Sequence, residues 1–350
     1  MAETKEKLRV GLIGCGGISR SHLPHLSKSP DVELVGFCDI VVERAEKHVA
    51  QYGGKAYDHA DKMLEDANLD AAYILIPTYA HGDPERSCLA AKVPFLVEKP
   101  LGLYPDDLRK LSKEVQASGL TTVAGFMNRY RKSVNRAREI LETDPAILLD
   151  GAWISGPPVD RDGDYFARNP IGQWWPVKEK SGGQFVEQVI HTVDLARYLA
   201  GEVKEVFAFA ARGFNKKVPK LVPNYTNDDA MVVSMKFASG AIGNIMASCS
   251  TAKGGGVFLN VWSANHCTKF TEWAHHAHIT KTDDPGHEYI VKGDIDDIFP
   301  TEDRVFIDAV KTGDRSKIKS THADGARTTL VCLAANESLE TGQPVTVKYE

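Results

Sequence analysis

Leu8-Arg9-Val10-Gly11-Leu12-Ile13-Gly14-Cys15-Gly16-Gly17-Ile18-Ser19 decides the fold of this protein. An apolar run enters a glycine turn, and a helical pattern follows directly. Gly14-x-Gly16-x-x-Ser19 fits G-x-G-x-x-G/A with Ser19 in the third place. Gly14 permits the tight turn and Gly16 lets the backbone approach a pyrophosphate, with Cys15, Gly17 and Ile18 completing the loop. The anion would then face the N–H groups and the dipole of the following helix. A glycine turn alone is a weak signal, and Asp39 strengthens it. The second apolar run ends there, 39 − 16 = 23 residues beyond Gly16, close to the ~20 expected of an acidic group on an adenosine ribose. A carboxylate accepts hydrogen bonds from a free 2′-hydroxyl and repels a 2′-phosphate. Ile40 and Val41 offer no cation, so the expected cofactor is NAD rather than NADP, with Arg44 the nearby cation that could serve a phosphate.

Outward from this turn, residues 8–13, 32–38, 71–76, 93–97 and 121–124 read as near-continuously apolar strands. Amphipathic stretches at 18–27, 41–52, 83–91 and 105–117 alternate with them. This pattern predicts an α/β, doubly wound parallel sheet covered on both faces. After about residue 126 the pattern changes to a helix at 132–142, a strand ending at 154–155 and a long Gly- and Pro-rich loop over 156–181. A helix over 183–200 follows, with Gly201 as its stop. Strands are expected at 203–212, 230–237, 241–250, 257–263 and 268–273, with Ser239-Gly240 as a hairpin turn. Helices at 303–311 and 322–341 close the sequence, the last able to return to the first domain. The expected organisation is 1–126 as the nucleotide domain and 127–350 as an α+β domain with a mostly antiparallel sheet.

Composition agrees with a two-domain globular protein of 350 residues. With 43% apolar and 25% charged residues it is neither disordered nor fibrous. A balance of 42 basic against 47 acidic residues, 42 − 47 = −5, gives no basic surplus, so no nucleic-acid partner is expected. The longest apolar run, 71–77, falls far short of the ~20 residues that span a bilayer, so no membrane association is expected. The charged amino terminus has no signal-peptide pattern and the six cysteines form no C-x-x-C pair. They read as reduced, buried residues of a cytoplasmic enzyme.

Lys99 follows the apolar run 93–97 and so falls at the carboxyl end of a parallel strand, where ligands of such sheets bind. Pro100 keeps the backbone before it extended. In the helix 183–200, Glu187, His191, Asp194 and Tyr198 lie within roughly 60° of one another at 100° per residue, opposite an apolar face. Trp174 and Trp175, with Lys178 and Lys180, could offer an aromatic platform and cations to a polyhydroxylated ligand. His275-His276-Ala277-His278 lacks Cys or acidic partners at metal-site spacing; it reads as a polar strand edge, and no metal is expected. Asn128-Arg129-Tyr130 lies just past the last strand of the first domain and is expected to border the nicotinamide.

Together, the glycine turn, Pro77-Thr78-Tyr79-Ala80-His81, Glu98-Lys99-Pro100 and Gly182-Gly183…Glu187…His191…Asp194 resemble the Gfo/Idh/MocA family. The likeness extends to Asp324-Gly325 and Thr341-Gly342-Gln343-Pro344-Val345. That family includes glucose-fructose oxidoreductase and inositol dehydrogenase. The resemblance implies a Rossmann domain joined to a domain with an open antiparallel sheet, commonly a subunit interface, and hence a homodimer or homotetramer. It implies Lys99, His191 and Glu187 as catalytic, with Lys99 and His191 flanking the reacting carbon. Pro77, Thr78, His81, Glu98, Lys99 and Asn128 would join the glycine turn in holding the cofactor. Arg129, Trp175, Lys178, Glu187, Asp194, His191 and Lys99 would meet the substrate. The sequence differs from the family pattern where Glu187 replaces the usual Asp and Val189 a small residue. The expected activity is an NAD-dependent dehydrogenase or reductase on a CH–OH group of a sugar, cyclitol or sugar derivative. The alternatives are a glycosidase that transiently oxidises the sugar ring and a dinucleotide-sensing regulator. The regulator would be expected to lose Lys99 or His191.

Overall fold

A computed structural model describes residues 7–160, 170–252, 255–293 and 298–350. The protein forms two compact units, Met1–Met127 with Phe299–Ala326, and Asn128–Ile298 with Arg327–Glu350. The first therefore includes a return segment beyond the stretch 1–126 read from the sequence.

In the first unit, β1 (Leu8–Ile13), β2 (Val32–Cys38), β3 (Lys55–Tyr57), β4 (Ala71–Ile74), β5 (Phe95–Val97) and β6 (Thr122–Ala124) form one sheet, ordered β3-β2-β1-β4-β5-β6. Every pairing is parallel. The order reverses at β1/β4, the switch point at which ligands of doubly wound sheets bind. The helices are α1 (Ser19–Leu26), α2 (Val42–Tyr52), α3 (Ala60–Asp66), α4 (Asp83–Ala90) and α5 (Pro105–Ser118). Sequence reading misses β3 and α3. The edge strand β3 buries only Tyr57, and α3 buries only Met63 and Leu64, so neither has an apolar signature. Val10, Leu12, Phe37, Tyr73 and Leu96 form the core, joined by Phe306 and Ile307 from the return helix Phe299–Thr312.

The second unit opens with α6 (Lys132–Thr143) and β7 (Leu148–Ile154). Three helices follow: α7 (Lys178–Ser181), α8 (Gln184–Glu187) and α9 (Ile190–Ala200). Next come β8 (Val203–Ala211), β9 (Ala230–Phe237), β10 (Ile242–Ser248), β11 (Gly256–Trp262), β12 (His266–Thr271), β13 (His276–Lys281), β14 (Asp284–Val291) and β15 (Val345–Thr346). Among the described residues the sheet runs β14-β13-β12-β11-β7-β10-β9-β8-β15, with β7 and β10 its one parallel pair. Sequence reading misses β14 and β15 and catches only the start of β13, through the histidines read as a strand edge. The first half of the expected loop 156–181 lies partly outside the described residues. The three histidines read as a strand edge are split: β13 is covered by β14, and His275 is buried in the turn before it. Among the described residues no cluster of three or more His, Cys, Asp and Glu could hold a metal, and no helix is long and apolar enough to cross a membrane.

A buried charged link ties the return helix of the first unit to its sheet. His22 of α1 is fully buried, with Nδ1 2.7 Å from Asp303 Oδ1 and Nε2 3.3 Å from Glu98 Oε1. Burial lowers the His22 pKa, but Asp303 and Glu98 outweigh it and push the pKa up to about 10. Against 6.5 in the unfolded protein, the resulting stabilisation is complete below about pH 6.5 and is lost as pH rises through about 10. His22→Gln should therefore lose about 3–5 kcal/mol at neutral pH, the cost of breaking a buried pair. In urea unfolding, its gap from the parent protein should narrow between pH 6.5 and 10. A pH-independent gap would contradict the charged link.

Candidate active site

The glycine turn leaves β1 with Gly14 at φ +101°, where an added Cβ would stand 2.2 Å from the Leu75 carbonyl oxygen. Glycine is therefore obligatory on both conformational and steric grounds. At Gly16 and Gly17 an added Cβ would meet nothing within 4 Å, so the backbone is open to a ligand ahead of α1. Ser19 Oγ donates to the Gly16 carbonyl at 2.7 Å and lies 3.1 Å from His48 Nε2, which closes the turn. Asp39 is aimed by two backbone donors: Cys15 N–H to Oδ2 and Val41 N–H to Oδ1, each 2.9 Å. Arg44 Nη1 is 3.8 Å from the same carboxylate. Burial and the Asp39 charge push the Cys15 thiol up to about 12, so it stays protonated beside the turn. An open glycine cradle, a helix start and an oriented carboxylate together fit a dinucleotide with a free adenosine 2′-hydroxyl.

Lys99 stands half-buried two residues past β5, at the carboxyl end of the sheet, as its sequence position predicts. Its N–H donates to Glu98 Oε2 at 3.1 Å, and Glu98 is the carboxylate that His22 holds. Pro77 is half-buried and Thr78 almost fully buried just beyond β4. The His81 side chain is enclosed, although the residue as a whole is half-buried. Its Nδ1 is 2.6 Å from Glu85 Oε1, while Glu85 Oε2 accepts the Gly82 N–H at 2.7 Å at the start of α4.

In the second unit, the single helix expected over 183–200 is two helices. The Gln184 carbonyl accepts the N–H groups of both Gln188 and Val189, and this π-like irregularity separates α8 from α9. The helical wheel does not carry across the break, so Glu187 ends α8 and His191 begins α9. The expected wet stripe is also absent: Glu187, His191 and Asp194 are all buried. Asp194 is held by Arg129, with Nε to Oδ2 at 2.9 Å and Nη2 to Oδ1 at 2.5 Å, and by the Thr328 hydroxyl at 2.9 Å. Two residues expected to meet substrate thus form a buried ion pair. Asn128, also buried, accepts Arg131 Nε at 2.7 Å. Trp175 is only 6% exposed and Lys178 Nζ is 2.6 Å from Asp228 Oδ2, so neither stands open as a platform. Two indoles that sequence reading passed over surround His191 instead. Trp153 stacks on its ring at 6.3 Å and 27°, and Trp273 lies nearly perpendicular to it at 5.4 Å and 84°.

Residues 8–126 match the model of an oxidoreductase family with an NAD-binding Rossmann fold, and residues 156–265 match the GFO/IDH/MocA C-terminal domain. The chain belongs to the Gfo/Idh/MocA family. It is 28% identical to a myo-inositol 2-dehydrogenase of Thermotoga maritima, over 95% of this chain and 96% of that protein. It is 26% identical to a scyllo-inositol 2-dehydrogenase (NAD(+)) of Bacillus subtilis, over 97% and 96% of the two proteins. The crystal structure of myo-inositol 2-dehydrogenase from Lactobacillus plantarum shares its fold, with a TM-score of 0.77 at 23% identity over 98% of this chain and all of that one. This Gfo/Idh/MocA protein is an oxidoreductase, and its cofactor is NAD. Asp39→Asn removes the ionised acceptor, so NADH affinity should fall about 10- to 100-fold, the worth of a charged hydrogen bond. NADPH affinity should hold or rise. Fluorescence titration of both reduced cofactors reads the ratio, and an unchanged preference would dismiss Asp39 as the selector.

Proposed function

We propose that the protein oxidises a secondary alcohol of a cyclitol or sugar, or reduces the corresponding ketone. The observation that carries the reading is His191, a buried imidazole set against two indole rings at the start of α9. It occurs in a protein that aligns over nearly its whole length with inositol dehydrogenases. Bound NAD supplies the hydride acceptor. His191 takes the hydroxyl proton in oxidation and returns it in reduction. Lys99, on the first unit, donates a hydrogen bond to the substrate oxygen and stabilises its alkoxide character. Glu187 binds a neighbouring hydroxyl. Asp194 and Arg129 act by holding α9 in place.

The open face of the second sheet supports assembly. Leu148, Phe209, Val232 and Ile242 stand exposed on β7–β10, with Asp150, Asn244 and Asn260 in register between them. A patch of this kind is covered in most soluble proteins, and we assign a second copy of this protein to it. Light scattering should show a dimer or tetramer, and Val232→Asp should shift it toward monomer. A monomeric parent protein would remove the assignment.

The activity is tested by following NADH formation with myo-inositol, scyllo-inositol and D-glucose, and by aglycone release from glycosides without added NAD. Lys99→Ala and His191→Ala should each lower kcat at least ~100-fold with NAD affinity retained. Near-normal turnover in either variant would sink its role.

A further inference from the structure

Trp273 sits in the tight turn joining β12 to β13, and the turn is strained. Glu272 and His275 take φ of +62° and +52°, left-handed values that cost residues other than glycine. The surroundings hold it there from two sides. His275 is buried; its N–H donates to the Glu272 carbonyl at 3.1 Å and its Nδ1–H to the Trp273 carbonyl at 2.8 Å. Burial and nearby Arg131 lower the His275 pKa to about 4, so the ring is neutral, and the carbonyl it faces selects the tautomer with the proton on Nδ1. From the other side, a Cβ at Gly293 would fall 1.8 Å from the Ala274 carbonyl oxygen, so only glycine lets this strand end close against the turn.

All this structure leaves Trp273 41% exposed. Its ring centre lies 5.4 Å from that of His191 at 84°, 5.3 Å from that of Trp153 at 61° and 6.0 Å from that of His275 at 56°. Strain maintained to keep a large apolar ring partly in water beside a buried imidazole suits a ligand-contacting surface better than a packing device. We propose that Trp273, backed by Trp153, is the specificity wall of the His191 site and takes the apolar C–H face of a cyclic polyol. This rests on the reading of His191 as the group that handles the substrate proton. A cyclitol or pyranose with several C–H bonds on one face presents a flat apolar patch to an indole, whose face is electron-rich. An acyclic polyol of comparable size has no such fixed face. The wall therefore selects rings, while hydroxyl contacts select among them.

The test is calorimetric binding of myo-inositol, D-glucose and the acyclic polyol D-glucitol to the protein–NAD⁺ complex, with NADH formation followed in parallel. The parent protein should bind at least one ring compound more tightly than D-glucitol. Trp273→Ala should weaken ring binding about 10-fold and Trp273→Phe much less, with NADH affinity and thermal stability unchanged in both. KM should rise while kcat holds within a few-fold, a split that a purely structural role would not produce. Equal ring affinity in the parent and Trp273→Ala would overturn the wall, as would loss of NADH affinity in both variants. Ring binding that depends on Trp273 with no NADH formed from any compound would uphold the wall and overturn the dehydrogenase reading. Failure of the parent protein to bind any ring compound would overturn both.

Discussion

Helix α9 has almost no wet surface: from Ile190 to Ala200 every residue but Tyr198 is buried. That constraint governs the second unit. A charge on such a helix must be paired within the protein, because an isolated buried ion costs several kcal/mol. Asp194 is met by both arms of Arg129, and Arg197 by both oxygens of Glu202 at 2.9 and 3.0 Å. The Thr328 hydroxyl joins the two pairs, accepting from Arg197 at 3.2 Å and donating to Asp194 at 2.9 Å. A substrate hydroxyl could recruit Asp194 only by loosening this network. His191, one turn earlier on the same helix, is set against two indole rings.

The Rossmann half was legible because its physics is local. Strands buried on both faces must be apolar throughout, and the turn that approaches a phosphate must be glycine. Gly14, Asp39 and Lys99 therefore stand where their sequence context places them. Edge strand β3 and short α3 carry little apolar surface and so left no pattern to read. In the second half the decisive contacts are long-range. Arg129 and Asp194 are 65 positions apart, and nothing near either residue announces the other. A helical wheel grouped Glu187, His191 and Asp194 but could not report that the supposed solvent side was also covered. The break at Val189 has no glycine or proline to signal it; two N–H groups share one carbonyl there.

The tryptophans show the same limit. Trp174 and Trp175 lie in a Gly- and Pro-rich stretch, which made them look like a surface platform. Yet Trp175 is buried and its carbonyl is tied to Asn227 Nδ2 at 2.8 Å. Trp153 and Trp273 belong to a strand and a strand turn 120 positions apart and carry no motif. The tertiary sheet brings them to one imidazole.

Burial by itself says nothing about what a histidine does, because the partners set its protonation. His22 is wholly enclosed yet held charged, since two carboxylates outweigh the desolvation. His322 is equally enclosed, and burial pulls it down to about 4, with Glu85 opposing and His81 adding to the fall. His275 is neutral as well, pulled down to about 4 by burial and Arg131, and its Nδ1–H fixes the Trp273 turn. His22 and His275 are each committed to the architecture by the hydrogen bonds of their own partners. The indoles of Trp153 and Trp273 act on His191 in a different way, through ring contacts. A ring contact restrains the plane of an imidazole by packing, where the carboxylates around His22 act by charge.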